Sequence, residues 1–197
     1  ASPMQKGPPI PRSAWFILIA LTAANILNYV DRHIVSILGQ AIKADLRLDD
    51  AQLGFLLGTA FAIFYSVVGI AMGRISDFVS RKKMLAMGLA LWSVMTAMGG
   101  AAVGFMSLSA ARIGVGVGEA AANPCSHSLL ADTFPQKNRA LALGTYLTGT
   151  FLGTAIAMAV GGLFIQKWGD MCSAVPIGGA CNLAGWQAAL ITVGVPG

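Results

Sequence analysis

Charge is scarce in this sequence of 197 residues: only 11% are Asp, Glu, Lys or Arg, against about 25% in ordinary soluble domains. That leaves too little solubilising surface for a free-standing globule. Disorder is excluded as well, because it needs low hydrophobicity, whereas 56% of these residues are hydrophobic and the mean hydropathy is +0.71. The 24 glycines have no three-residue period, which excludes a collagen-like rod. With two histidines and three cysteines, no metal-ligand spacing is present, and neither a metal nor another cofactor is implied. A Gly-x-Ser-Gly nucleophile and a histidine in a sixth span are both missing, which argues against an intramembrane serine protease. What remains is an all-α integral membrane protein that crosses the bilayer several times.

The formal net charge of +5 does not point to nucleic acid, because the charges sit between the apolar runs, where they set orientation. Residues 1–13 hold Pro3, Pro8, Pro9 and Pro11 and read as an extended tail without a secretory cleavage site. Spans are expected over about 15–42, 53–75, 84–105, 107–131 and 140–166, with a sixth opening at 186–197. The second has no charge between Leu53 and Gly73, enough to cross a core of ~30 Å at ~1.5 Å per residue. The sixth stretch reaches only ~18 Å, so five full spans and the start of a sixth are expected.

Short loops on one side hold Lys6, Arg12, Arg74, Arg81, Lys82, Lys83, Lys137 and Arg139; those on the other hold Lys43, Arg47 and Lys167. This bias places the amino terminus in the cytoplasm, with a bacterial inner membrane as the expected location. Cys172 and Cys181 then share an external loop, where a disulfide can persist. Cys125, within span four, reads as a small apolar filler.

Four charges lie inside spans: Asp31, Arg32, Arg112 and Glu119. Each costs at least ~2.5–3.5 kcal/mol at mid-membrane, so something must pair or wet them. Arg112, Glu119, Asn123 and His127 share one face of span four, and Asn25, Asn28 or Tyr29, Arg32 and Ser36 form a similar stripe on span one. Counting along straight helices puts Asp31 ~24 Å from the cytoplasmic start of its span and Arg112 ~8 Å from the outer start of its own. Both fall in the outer half, so Asp31 and Arg112 are the expected pair. Glu119, ~18 Å along span four, falls near the midplane without a fixed cation and can load and release a proton. A bland alternative is that the four charges only tie span one to span four, but apolar packing would do that at little loss. Stripes of small residues, Gly54, Gly58, Ala62 and Ser66 in span two, Gly114, Gly118 and Ala122 in span four, and Gly149, Gly153, Ala157 and Gly161 in span five, read as surfaces for close helix approach.

The loop after span two runs Gly73-Arg74-Ile75-Ser76-Asp77-Phe78-Val79-Ser80-Arg81-Lys82-Lys83. It resembles the loop signature of the major facilitator superfamily, Gly-x-x-x-Asp-Arg/Lys-x-Gly-Arg-Lys/Arg-Lys/Arg. Gly73, Asp77, Arg81, Lys82 and Lys83 match it, while Phe78 and Ser80 depart from it. The segment Arg112-x-x-x-Gly116-x-Gly118-Glu119 also looks like the superfamily's, and Asn28-Tyr29-Val30-Asp31-Arg32 with Arg112 and Glu119 resembles its spinster family. The resemblance implies the amino-terminal six-helix bundle of a twelve-helix fold, with a carboxy-terminal half as partner. It further implies proton-coupled, alternating-access transport of a lysophospholipid or sphingolipid phosphate, with Asp77 as a gate lock. Under that reading Asp31 and Glu119 carry the proton, while Arg32, Arg112, Asn28, Asn123 and His127 bind an anionic, lipid-like substrate. Small organic anions or drugs are the alternative cargo, although Gly153 is followed by Thr154 rather than the proline of the antiporter signature. An intramembrane enzyme or a structural subunit fits less well, the latter because it leaves four buried charges without a purpose.

Overall fold

The computed structural model describes residues 10–76, 78–174 and 182–196. Helix α1 (Arg12–Leu46) starts directly behind Pro11 and ends where Arg47 turns left-handed at φ 52°, its N–H bonding back to Lys43. Asp49 restarts the helix: its side chain accepts from the Gln52 N–H at 2.7 Å while Gln52 Oε1 accepts from the Asp49 N–H at 3.1 Å. This reciprocal cap opens α2 (Asp50–Ile75), and Lys43 forms an ion pair with Asp50 across the same turn. There follow α3 (Arg81–Gly100), α4 (Phe105–Glu119), α5 (Ala122–Thr133), α6 (Gln136–Ala174) and α7 (Gly185–Gly194).

Three of these helices are long and apolar enough to cross a membrane by themselves: α1, α2 and the Gln136–Cys172 part of α6. Their outward faces carry large apolar side chains, among them Phe16, Val67, Ile70, Phe151 and Met158. Lipid, not water, suits such a surface. The fourth span departs from the single helix expected over 107–131. It is split into α4 and α5 at residues 120–121, because Pro124 has no N–H for the Ala120 carbonyl and its ring crowds that group.

Helix α1 packs along α6, α2 against α4, α3 against α4 and α7, and the start of α7 closes on α1 and α6. The tightest seams are made by glycine. A Cβ placed on Gly153 would lie 2.5 Å from the Ile26 carbonyl oxygen of α1, and one on Gly118 would lie 2.8 Å from the Trp92 nitrogen of α3. Those backbones touch only because no side chain intervenes. The stripe on α2 behaves otherwise: Gly54, Gly58, Ala62 and Ser66 are exposed, and nothing approaches within 4 Å of a Cβ on Gly54 or Gly58. That stripe is therefore not a packing seam among the described residues. At the far end Trp186 Nε1 donates to Asp45 at 2.8 Å, tying α7 to α1. Cys125 is a buried free thiol and Cys172 is disulfide-bonded, while Cys181 lies outside the described residues.

Candidate functional site

The four intramembrane charges converge where α1, α2 and α4 meet. Asp31, Arg112 and Glu119 are buried, with Glu119 fully inaccessible, and the Arg32 side chain remains 21% exposed. Arg32 and Glu119 form the ion pair: Nε and Nη2 of the guanidinium both donate to Glu119 Oε2, at 3.1 and 2.7 Å. Two charge-assisted bonds to one oxygen fix the carboxylate while leaving Oε1 without a hydrogen-bond partner.

This corrects the pairing expected from depth alone. Glu119 has a fixed cation, and Arg112 reaches only the main-chain carbonyl of Asp31, at 3.5 Å, not its carboxylate. Asp31 Oδ1 is buried and has no hydrogen-bond partner among the described residues. Neighbouring residues of a helix point ~100° apart, so the turn of α1 that aims Arg32 at Glu119 aims Asp31 elsewhere. Depth puts groups at one level; rotation of the helix decides which of them meet.

Around Arg32 stands an aromatic sleeve that sequence reading missed. Its guanidinium carbon lies 5.1 Å from the ring centre of Tyr29, 4.8 Å from Phe61 and 4.8 Å from Tyr65. Each such contact is worth about 0.5–1 kcal/mol when exposed and about 2 when desolvated. Phe61 and Tyr65 stack on each other at 5.3 Å. They sit one turn beyond a widened turn at Phe55–Thr59, where the Ala60 N–H bonds to Phe55 five residues back. A wide turn of this kind shifts register by one residue and sets the face on which the following side chains emerge. Gly116 lets the strand of backbone at Phe61 come close, since a Cβ there would lie 3.1 Å from the Phe61 carbonyl oxygen. The only sequence signal was the i, i+4 spacing of two aromatics within an apolar run, which reads equally well as lipid-facing packing.

Of the other expected site residues, Asn28 is buried, and its Oδ1 receives a long 3.5 Å bond from Arg32 Nη2. Asn123 lies beside the site with both ends of its amide engaged: Nδ2 donates to the Tyr65 hydroxyl at 2.8 Å, and Oδ1 accepts from the Tyr146 hydroxyl at 3.2 Å. His127 is exposed and meets Tyr146 edge-on at 5.5 Å. Tyr146 in turn is tied to α1, because Asn25 donates to its carbonyl at 3.0 Å. Tyr65→Phe should keep the ring over Arg32 but strand the Asn123 amide. A lost buried bond costs about 1–3 kcal/mol, so the melting temperature of the intact protein should fall, as read by a thermal melt of the variant beside the parent.

The loop motif lies well away from this cluster. Gly73 is near the end of α2, Lys82 and Lys83 are exposed, and Arg81 pairs with Asp132 at the end of α5. Asp77 lies outside the described residues.

Residues 21–197 match the model of the Major Facilitator Superfamily. An MFS-type efflux pump of Mycolicibacterium smegmatis is 36% identical over 94% of this chain and 43% of its own length. A probable L-galactonate transporter of Escherichia coli is 29% identical over 98% of this chain and 39% of its own length. Among solved structures, a bacterial homologue of the human lysosomal transporter spinster, inward-facing and unoccupied, superposes with a TM-score of 0.83 at 32% identity. It covers 94% of this chain, which spans 41% of that one. The chain thus spans about two fifths of the length of these relatives, and its helices have the arrangement of an amino-terminal half of the fold. With its split fourth span, its glycine seams and its buried arginine–glutamate pair, this integral membrane protein belongs to the major facilitator superfamily.

Proposed function

We propose that this chain is the amino-terminal half of a proton-coupled secondary transporter, working by alternating access on an anionic, lipid-like substrate such as a lysophospholipid or sphingolipid phosphate. The observation that carries the reading is the Arg32–Glu119 pair, a fully buried carboxylate held by a cation that keeps part of its side chain exposed. An anion that takes Arg32 must displace Glu119. A carboxylate stripped of its cation in a dry site costs several kcal/mol, and a proton removes that cost. Proton and anion therefore favour each other's binding on the same face, which is the linkage a symporter needs. Arg112, buried against the Asp31 carbonyl, adds positive potential for the substrate, and Asp31 balances it as a second proton-accepting group. Asn28 orients Arg32; Asn123 acts through Tyr65 more than by direct contact; His127 lines the exposed approach.

Rocking of this half against a six-helix partner half would expose the site alternately to either side. In that cycle the loop of Gly73, Asp77, Arg81, Lys82 and Lys83 is the cytoplasmic gate, with the Arg81–Asp132 pair as its anchor within this half. We infer from its basic character that the amino terminus faces the cytoplasm, with a bacterial inner membrane as the proposed location.

A small sugar acid is the second reading, favoured by the similarity to the L-galactonate transporter. Either cargo needs Arg32. Competition binding to the full-length protein separates them: a lysophospholipid should displace a labelled lysolipid at a concentration at least tenfold below that of galactonate. Displacement by galactonate alone would reverse the assignment.

A further inference from the structure

The hydrogen bonds beside Arg32 have a direction. Tyr146 is 1% exposed, so its hydroxyl hydrogen must find an acceptor inside the protein. It donates to Asn123 Oδ1, at 3.2 Å. An amide has one accepting end and one donating end. With its oxygen turned to Tyr146, Asn123 presents Nδ2 to Tyr65 and donates to that hydroxyl at 2.8 Å. Tyr65 is the acceptor in this bond, and its own hydroxyl hydrogen has no acceptor among the described residues. Turned the other way, the amide would take the Tyr65 hydrogen and withdraw the acceptor from the buried Tyr146 hydroxyl, which is the costlier loss. Burial therefore selects the observed arrangement, because Tyr65 is only half-buried and its hydrogen is left for whatever enters from the accessible side.

That hydrogen stands next to the exposed cation. The Tyr65 ring centre is 4.8 Å from the Arg32 guanidinium carbon, and the phenol oxygen lies one ring radius and one C–O bond from that centre. An oxyanion with two oxygens, each in a hydrogen bond of ~2.7–2.9 Å, spans a gap of that size between guanidinium and hydroxyl. We propose that Tyr65 is a substrate-binding residue that donates its hydroxyl hydrogen to the oxyanion head of the substrate beside Arg32, and that Tyr146 sets this polarity through Asn123. The proposal rests on Arg32 as the anion site and names a second contact there. Arg32 supplies charge, which any anion satisfies. Tyr65 supplies one directed donor, which only an accepting oxygen satisfies, so the ligand class is a phosphate or carboxylate head. Asn25 of α1 holds the other end of the relay, through its bond to the Tyr146 carbonyl at 3.0 Å.

The test changes the donor while keeping the ring. Full-length protein in dodecyl maltoside micelles carries Tyr65→Phe or Tyr65→3-fluorotyrosine, in mildly acidic buffer where the fluorinated phenol stays protonated. Affinity is read with labelled lysophosphatidate for a lipid head and with galactonate for a sugar acid; binding of neither would overturn the reading on which the proposal rests. Fluorine withdraws electrons, so it makes the hydroxyl a stronger donor and a weaker acceptor. Tyr65→Phe should weaken binding of the anion about tenfold, the usual worth of a hydrogen bond to a charged group, and the fluorinated side chain should tighten it at least twofold. A residue that serves only as the acceptor for Asn123 gives the opposite sign with fluorine. Weaker or unchanged binding by the fluorinated protein would overturn the proposal, and that arm stands even if Tyr65→Phe does not fold, because it keeps both ring and hydroxyl. Tyr146→Phe releases the amide, which then takes the Tyr65 hydrogen in one of its two orientations. Affinity should fall about twofold, and no further when Tyr65 is already Phe; an equal fall in both backgrounds would overturn the relay. Failure of the Arg32 reading shows separately, as an Arg32→Ala, Glu119→Gln variant that binds the anion as tightly as the parent.

Discussion

Replacing Arg32 with alanine should destabilise the intact protein by about 3–5 kcal/mol, the usual cost of leaving one partner of a buried ion pair without the other. Glu119 is fully inaccessible, and among the described residues Arg32 is its ion-pair partner. Three aromatic rings also lose the cation they surround. Transport should vanish with it, because the same guanidinium is the proposed anion site. The two losses separate in the Arg32→Ala, Glu119→Gln double variant. Neutralising the stranded carboxylate should restore most of the thermal stability while transport stays absent. If the double variant melts as low as the single, burial of charge is not what the pair was compensating. If the single variant retains transport, the anion binds elsewhere.

A comparable loss should follow Gly153→Val, for a purely steric reason. A Cβ at this position already lies 2.5 Å from the Ile26 carbonyl oxygen and 2.8 Å from the Tyr29 Cβ, and backbone cannot step aside as a flexible side chain can. Overpacking costs about 1–3 kcal/mol where neighbours can shift and more where they cannot. Here the neighbour is the turn of α1 that carries Asn25, Asn28 and Tyr29. The variant should therefore either fail to accumulate in the membrane or melt far below the parent. Gly162→Val on the same helix has open space around its Cβ and should be tolerated. Equal behaviour of the two would mean that the α1–α6 seam is not set by Gly153.

How much of this was legible in the sequence differs from element to element. Spans follow from apolar length, and four charges inside them are conspicuous because membranes make charge costly. The glycine stripe on α6 also reads correctly as a seam. The stripe on α2 has the same spacing yet faces outward, because spacing identifies a face without saying what lies opposite. Pairing fails for a related reason. Asp31 and Arg112 share a depth in the membrane, but the rotation of α1 about its axis decides whether the Asp31 carboxylate faces that arginine, and Arg112 meets only the Asp31 main-chain carbonyl. That rotation is fixed by the contact with α6, more than a hundred residues later in the chain. The sleeve of Tyr29, Phe61 and Tyr65 was hidden by chemistry: in an apolar helix an aromatic ring looks the same whether it packs on lipid or on a cation. Pro124 is a helix-breaking residue in plain view, but the apolar run continues through it unbroken, and run length alone predicts one helix.

Proton coupling through Glu119 is the claim on which the rest depends, and one pair of assays on Glu119→Gln bears on it directly. The full-length protein is reconstituted in proteoliposomes with labelled lysophospholipid, and exchange without a gradient is compared with accumulation driven by an imposed pH difference. Glutamine keeps the shape and a polar contact to Arg32 but cannot exchange a proton. Exchange should persist within a few-fold of the parent, while accumulation above the equilibrium level should disappear. Uphill, pH-dependent accumulation by Glu119→Gln would contradict the account.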